Sequence, residues 1–458
     1  MFRRIRRRFA DSRILAFLAV LGPGIISASA GNDAGGVATY SQAGAQYGYS
    51  LLWVMFLLTF SLGIAQEMGA RMAAVTGKGL ADLIREEFGV KTTIFAMGSL
   101  LIANIATTVA EFAGITAVVE MFAPSSWRFV VVPLVALVVW LLVAQGTYKR
   151  VERIFLVMCL VYLAYVAAAF AVRPSPPWAS VLLQTILPDF RTVKPDAAYV
   201  QMVIALVGTT IAPWMQFYVQ SSVRDKGLTT KEYPLERVDV LTGSVLSNLI
   251  SFFIIVTCAA TLFARHFAVS DTFTAAIAAS ALEPIAGRGA KYLFAIGLFN
   301  AAMVGAVAVP LSTAYAVTES LGSESGLGRR VREAPLFIGV FTVVIIVAAL
   351  IILLVSQGAL LNVILIAQVI NGFLLPVVLV LMLRLVNKKR LMGEFTNGRA
   401  YNAVAWATVG VVSVLSVVYL GQTIMQMVRP ASASASTNRV VKVASARPFD
   451  STRLRSLQ

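Results

Sequence analysis

Apolar windows of about twenty residues recur along most of this chain, and a helix needs a segment of that length to cross a bilayer. Backbone polar groups in lipid have to be satisfied within the chain, so such a sequence folds as a bundle of helices. The composition agrees, with 58% hydrophobic and 13% charged residues over 458 positions, too few charges for an ordinary soluble domain. Eleven spans are predicted, at about 13–45 (interrupted), 48–68, 94–121, 128–146, 152–172, 199–222 (interrupted), 239–264, 291–320, 335–356, 359–384 and 400–426. Nothing of ordinary domain size is left once they are removed. The chain divides into a basic arm over 1–12, a membrane domain over 13–426, and a basic Ser/Ala-rich tail over 427–458 that reads as disordered.

The basic residues orient the bundle. With the N-terminus in the cytoplasm, most Lys and Arg fall on that side, in the arm and in loops such as "YKRVER", "GRRVREAP" and "RLVNKKRLMGEF". No Lys or Arg is left mid-span in this reading. The formal net charge of +16 then reflects topology and an anionic lipid surface, and is poor evidence for nucleic acid. The opening "MFRRIRRRF" is like the basic region of a signal peptide, but no convincing small-residue cleavage site follows, so it is read as retained.

Few residues inside the spans can do chemistry. Cys159 and Cys258 lie in apolar spans without a redox or metal motif and read as packing residues. His266, the only histidine, sits at a span end, and one histidine cannot build a zinc or haem site. Among carboxylates only Asp33 and Glu111 fall well inside. A charge there costs about 2.5–3.5 kcal/mol on insertion scales, and with no basic residue at that depth a bound cation is the remaining counter-charge.

The backbone around Asp33 fits that reading. In "SASAGNDAGG", Gly31, Gly35 and Gly36 permit an unwound stretch that frees carbonyls. A second interruption, "GTTIAPWMQ", falls in the sixth span, where Pro213 lacks a backbone donor. Broken helices at matching places in two five-span halves, about 13–172 and 199–384, point to a midplane site in an inverted-repeat transporter. Either break alone is better explained by helix packing, since Gly31 and Gly35 also form a small-xxx-small pattern. Asp33 within one of them tips the reading toward function.

The run "LGPGIISASAGNDAGGVATYSQAGAQYGYSLLWV" resembles the first span of the Nramp divalent-metal transporters, and "RLMGEF" after the tenth span is similar too. The resemblance covers about residues 15–425. It implies an all-α polytopic protein with the LeuT-type fold, an inverted 5+5 helix repeat plus one extra helix over 400–426, with the first and sixth helices broken. It also places Asp33 on the family's metal-binding Asp, the carbonyls of Ala30 and Thr209 on its backbone ligands, and Gln368 in "LIAQVINGF" on a Gln that approaches the ion. Asn371 follows one turn later.

The departures bear on the substrate. Gly36 stands where the family has a coordinating Asn, and Ala212, Pro213 and Trp214 stand where it has Met-Pro-His. Ala212 therefore marks a metal position that has lost a thioether, the ligand favouring soft transition metals. Magnesium dehydrates reluctantly, and a site of one Asp, carbonyls and amides with more room suits it. The pattern is similar to the Nramp-related magnesium transporters. Manganese also accepts oxygen ligands and is expected to be carried. Of the proton route that the resemblance implies, the histidine is Trp214 and the Asp is Thr108, leaving Glu111. Transport is therefore expected to run without strict proton coupling, driven by a membrane potential worth about 2.3 kcal/mol per charge per 100 mV.

The resulting expectation is an uptake transporter in a bacterial inner membrane, not an enzyme, acting by alternating access and without a resident cofactor. Its partners are the divalent ion and the bilayer, and it is taken as a monomer. Three rivals differ in what they require. An amino-acid transporter would set a substrate carboxylate against Asp33. An ordinary proton-coupled manganese transporter would have to manage without the missing Met and Asn. An intramembrane enzyme would have only Asp33 and Glu111, and "GSESGLGRR" lacks the ending of a phosphate-binding loop.

Overall fold

The computed structural model describes residues 22–428, apart from 146–152, 155–156, 159, 173–174, 189–195, 266–274, 281–286, 327–331 and 357–358. The basic arm, Cys159, His266 and the tail beyond 428 lie outside the described residues. No strand occurs among those described. The helices are α1 (Pro23–Ser29), α2 (Ala34–Tyr47), α3 (Leu52–Thr76), α4 (Leu80–Phe122), α5 (Arg128–Ala144), α6 (Leu163–Ala171), α7 (Trp178–Ile186) and α8 (Ala197–Thr210). They continue with α9 (Pro213–Lys226), α10 (Tyr233–Thr261), α11 (Ala275–Ser280), α12 (Ala290–Leu321), α13 (Pro335–Leu354), α14 (Leu360–Val386), α15 (Lys389–Met392) and α16 (Arg399–Val428). Nine helical stretches among the described residues, the α8–α9 pair counted as one, are long and apolar enough to cross a membrane.

Both expected interruptions are present. α1 ends at Ser29, a 3-10 turn covers Ala30–Asn32, and α2 restarts after Asp33, whose backbone is extended (φ −67°, ψ −174°). α8 ends at Thr210, and α9 starts at Pro213 after Ile211 and Ala212 leave helical geometry. Proline is at home in that first turn, where its missing N–H has no helical partner to lose.

The sequence reading had loops where the structure has helix: α7 and α11 fall between predicted spans, and the largest difference lies between the second and third spans. The stretch expected as the loop over 69–93 is mostly helical: α3 runs on to Thr76, and α4 begins at Leu80 with its one non-helical residue at Gly89 (φ 77°). "LADLIREEF" is a short amphipathic helix fused to the span, its acids ion-paired with Lys78, Arg85, Arg224, Lys388 and Arg390. The longer α3 also carries Arg71, beyond the predicted span end at 68, as a buried charge. Arg71 is 7% exposed and is paired with Glu67 one turn earlier, Nη2 to Oε2 3.1 Å. Its Nη1 donates to the Phe395 carbonyl at 2.9 Å, its Nη2 also donates to Asn397, and Tyr233 donates to Glu67. A buried charge is tolerated when paired and hydrogen-bonded; the "GEF" loop provides part of that partnership at the two Nη atoms, while Nε has no partner.

Large apolar side chains face outward, among them Phe60, Ile94, Ile102, Val130, Leu350 and Val417, as lipid contact requires. Polar residues such as Asn32, Thr107, Thr108, Glu111, Gln216 and Gln368 are buried. Where the broken helices cross their neighbours, glycine sets the distance. A Cβ at Gly24 of α1 would lie 2.5 Å from Val240 Cα, and one at Gly243 of α10 would lie 2.7 Å from Ile25 Cα. A Cβ at Gly208 of α8 would lie 2.0 Å from the Gln368 carbonyl oxygen of α14. The start of α1 is held by Asp239 of α10, whose Oδ2 accepts from Gly24 N–H at 2.7 Å and Gly22 N–H at 3.2 Å.

These crossings are backbone against backbone, so no side-chain rotation can relieve an added methyl. Gly243→Ala and Gly208→Ala are expected to lower the thermal unfolding temperature of the detergent-solubilised protein. Gly98→Ala and Gly410→Ala, where an added Cβ meets nothing within 4 Å, should leave it unchanged.

Candidate metal site at the two helix breaks

Asp33 sits in the first break as the N-cap of α2. Its Oδ1 accepts from Gly36 N–H at 2.7 Å, and its carbonyl accepts from Val37 N–H at 2.9 Å. An aspartate at this position satisfies donors the helix start leaves open and meets its positive end. The next open donor, Ala34 N–H, goes to Glu111 Oε2 of α4 at 3.1 Å. Glu111 is wholly buried, its Oε1 has no partner, and its carboxyl lies in the space a side chain at Gly305 of α12 would fill. Asp33 and Glu111 are electrostatic neighbours, and among the described residues no ion pair reaches either.

Gln368 of α14 reaches the same break. A Cβ at Gly35 would lie 1.8 Å from Gln368 Nε2 and 3.0 Å from Asp33 Oδ1, so Gly35 leaves the gap in which carboxamide and carboxylate meet. Gln368 Oε1 accepts from Asn371 Nδ2 at 3.3 Å, while its Nε2 has no partner. Asn371 also donates to Thr107 of α4 at 2.9 Å and therefore braces Gln368 against α4.

The second break faces the first. A Cβ at Gly31 would lie 3.4 Å from the Thr209 carbonyl oxygen. Tyr40 of α2 and Thr210 of α8 share a hydroxyl hydrogen bond of 3.0 Å, which ties the two breaks together. Ala30 and Ala212 are both buried, Ala30 in the 3-10 turn and Ala212 at the N-cap of α9. All five expected metal positions, Ala30, Asp33, Thr209, Ala212 and Gln368, therefore belong to the two breaks or to the helix pressed against them.

The geometry bears on three of the substitutions. Asn32 does not replace the amide absent at Gly36, because α10 takes its whole carboxamide: Nδ2 donates to Ser247, and Oδ1 accepts from Ser251 at 2.8 Å. Gly36 does not leave an open volume either, since a Cβ there would lie 2.4 Å from the Gly31 carbonyl oxygen and 3.2 Å from the Tyr40 ring. The thioether absent at Ala212 has a counterpart that the sequence reading missed. Met215, three residues on and hence on the same face of α9, places Sδ 3.6 Å from the Cβ position of Gly31. Its spacing from Ala212 is the signal that could have found it. Thr108, at the expected relay position, bonds its own helix at Asn104.

The arrangement can hold a cation. The carbonyl end of α1 leads into a buried carboxylate that no ion pair reaches among the described residues, and the Thr209 carbonyl of α8 lies against Gly31 two residues before it; unwound carbonyls at half-helix ends are where transporters of this build coordinate cations. Gly36→Asn is expected to disorder the first break rather than restore a ligand. Its variant should bind both Mg2+ and Mn2+ more weakly than wild type in a titration of the purified protein.

A family model described as natural resistance-associated macrophage protein-like matches residues 24–422. The chain is 27% identical over 417 residues to the divalent metal cation transporter MntH of Deinococcus radiodurans, covering 88% of this chain and 89% of that protein. It is 28% identical over 413 residues to the MntH of Ralstonia nicotianae, covering 86% and 88%. Among solved structures, the Eremococcus coleocola manganese transporter in complex with an aromatic bis-isothiourea substituted compound superimposes with a TM-score of 0.72. That match has 18% identity and covers 95% of this chain and 93% of the other. A mutant of the same transporter gives a TM-score of 0.72 at 17% identity. At such identity the likeness establishes the fold, and the fold is the LeuT-type arrangement expected.

Proposed function

The chain belongs to the Nramp family, a divalent metal cation transporter type, and from that premise we infer that it takes up Mg2+ foremost, and Mn2+ as well, by alternating access. The observation that carries the reading is Asp33, a buried carboxylate with no ion-pair partner among the described residues, set between carbonyl-bearing helix ends. Asp33 is the charged ligand, the Ala30 and Thr209 carbonyls add hard oxygen donors, and Gln368 adds its amide oxygen after a half-turn of its carboxamide. Ala212, with no ligating side chain, lends only its carbonyl. Oxygen donors with retained water suit a hard cation that keeps part of its hydration shell.

Transport is proposed to be uncoupled from protons, because Trp214 and Thr108 replace titratable members of the relay with side chains that do not titrate near neutral pH, and Glu111 is engaged in capping α2. The protein is proposed to work as a monomer in a bacterial plasma membrane with its N-terminus inside, as the distribution of Lys and Arg favours. The bundle holding α1, α2, α8 and α9 would rock against the remaining helices around the site.

A second reading, an Nramp transporter preferring transition metals, is favoured by one observation, the Met215 thioether beside Gly31. Met215→Leu keeps the volume and removes the sulfur, so the two readings separate. On the magnesium reading Mg2+ uptake is retained within about twofold, as for a volume-conserving swap, whereas the rival requires Mn2+ and Cd2+ uptake to collapse.

The direct test uses proteoliposomes loaded with a magnesium-sensitive dye and a pH dye. Wild type is expected to admit Mg2+ without acidification, faster at an inside-negative potential, and Asp33→Ala to admit none. Mn2+ entry with acidification and no Mg2+ signal would overturn the proposal.

A further inference from the structure

The helices α5 and α13 meet away from the two breaks and leave a groove between them. Pro133, Ala136, Leu137 and Trp140 recur at helical spacing on one face of α5, as do Thr342, Ile345, Ala349 and Leu353 on α13. Arg128 Nη1 donates to the Val355 carbonyl at 2.7 Å, and Trp140 Nε1 donates to Thr342 Oγ1 at 2.8 Å. The start of α5 thus meets the end of α13, so the two run antiparallel and are tied at either end of the groove. Between the ties, buried Ala349 and half-buried Ala136 are too small to fill the space, while exposed Leu137, Ile346 and Leu350 stand at its edges. The groove measures about 380 Å3. Its one polar pair, Trp140 with Thr342, is already satisfied, so the groove suits an apolar occupant.

Length and outer end set this groove apart from ordinary lipid-facing surface. From Thr342 to Leu353 it follows about 17 Å of helix, close to half of the roughly 30 Å hydrocarbon core, which is the reach of one acyl chain in one leaflet. Arg128, where α5 begins, is flanked by exposed Trp127 and Phe129, the kind of aromatic side chain that gathers at headgroup level. Its guanidinium lies over the Phe129 ring, 5.2 Å from the centroid. Its Nε has no hydrogen-bond partner, and it forms no ion pair among the described residues. Half-buried Glu120, on the last turn of α4, is within electrostatic reach of Arg128 without being paired to it, and its Oε1 also has no partner.

We propose that the groove holds one phospholipid of the external leaflet whose headgroup carries both a phosphate and a primary ammonium, as in phosphatidylethanolamine. One acyl chain lies along Ala136 and Ala349, the phosphate meets Arg128, and the ammonium meets Glu120. Charge complementarity selects this headgroup. The guanidinium of Arg128 matches a phosphate, but a lipid with net negative charge would set that charge against the Glu120 carboxylate as well. A choline headgroup has no N–H to give the unpartnered Oε1, so it forgoes a charge-assisted hydrogen bond. Both α5 and α13 lie outside the bundle proposed to rock, so the lipid stays seated through the cycle and braces the part against which that bundle moves. Only the choice of leaflet rests on the orientation proposed above.

The test is native mass spectrometry of the full-length protein in detergent, titrated with phosphatidylethanolamine, phosphatidylcholine or phosphatidylglycerol of identical chains. One phosphatidylethanolamine per chain is expected to be retained, about tenfold more tightly than either of the others, as one charge-assisted hydrogen bond predicts. Arg128→Gln should weaken retention of all three, since each carries a phosphate, whereas Glu120→Gln should abolish the preference among headgroups. Ala136→Leu fills the groove and should lose the retained lipid whatever its headgroup. Equal retention of the three lipids by wild type, or tight retention by Ala136→Leu, would overturn the proposal. So would a lipid-free dimer that Ala136→Leu breaks, because a second copy would then cover the groove. The two charge variants change the half-buried headgroup end alone, so the result stands even if the leucine variant does not fold. None of these readouts involves the transported ion.

Discussion

The structure depends on one aspartate held where a helix is not allowed to continue. Asp33 caps α2 through Gly36 and keeps α1 and α2 from fusing, so the carbonyl end of one half-helix and the donor end of the next lie beside it. An ionised carboxylate in lipid is expensive, and its arrangement here lowers that expense by bringing it to a helix N-terminus. The remaining charge deficit calls for a cation. Glu111, Gln368, Tyr40 and Thr210 all engage the same short break or its counterpart; Gly35 leaves room for Gln368, Gly36 for the Gly31 carbonyl and the Tyr40 ring, and Gly31 for Met215 and the Thr209 carbonyl.

Much of this was legible in the sequence because membrane folding leaves few options. Apolar length gave the helices, and the pairing of an acid with glycines, and of proline with small residues, gave both breaks at their observed places. The ends of helices were less legible. Amphipathic segments such as 80–88 have no lipid-length apolar run, so they read as loop although ion pairs hold them helical. Arg71 was missed as a buried charge for the same reason, since the span was ended too early to contain it.

Within the site, the residues that gather at the two breaks could be read, but the use of each side chain could not. Asn32 stands beside Asp33 in sequence and is turned wholly to α10, because a 3-10 turn rotates neighbours differently from a helix. Gly36 read as the loss of a coordinating amide, and the Gly31 carbonyl stands where its side chain would begin. Met215 brings a sulfur near the break from one turn beyond the position where a sulfur was sought. Such outcomes depend on backbone direction inside an unwound segment, which no periodicity encodes.

The most direct test of the central claim is the hydration of an ion bound at the breaks. Mn2+ bound to the purified protein can be examined by pulsed electron–nuclear resonance, which detects the exchangeable protons of coordinated water, with Mg2+ added as competitor. The account predicts several retained waters, complete displacement by Mg2+, and loss of the signal in Asp33→Ala. A Mn2+ centre without coordinated water that Mg2+ fails to displace would contradict it, and would mark the site as one built for a dehydrated transition metal.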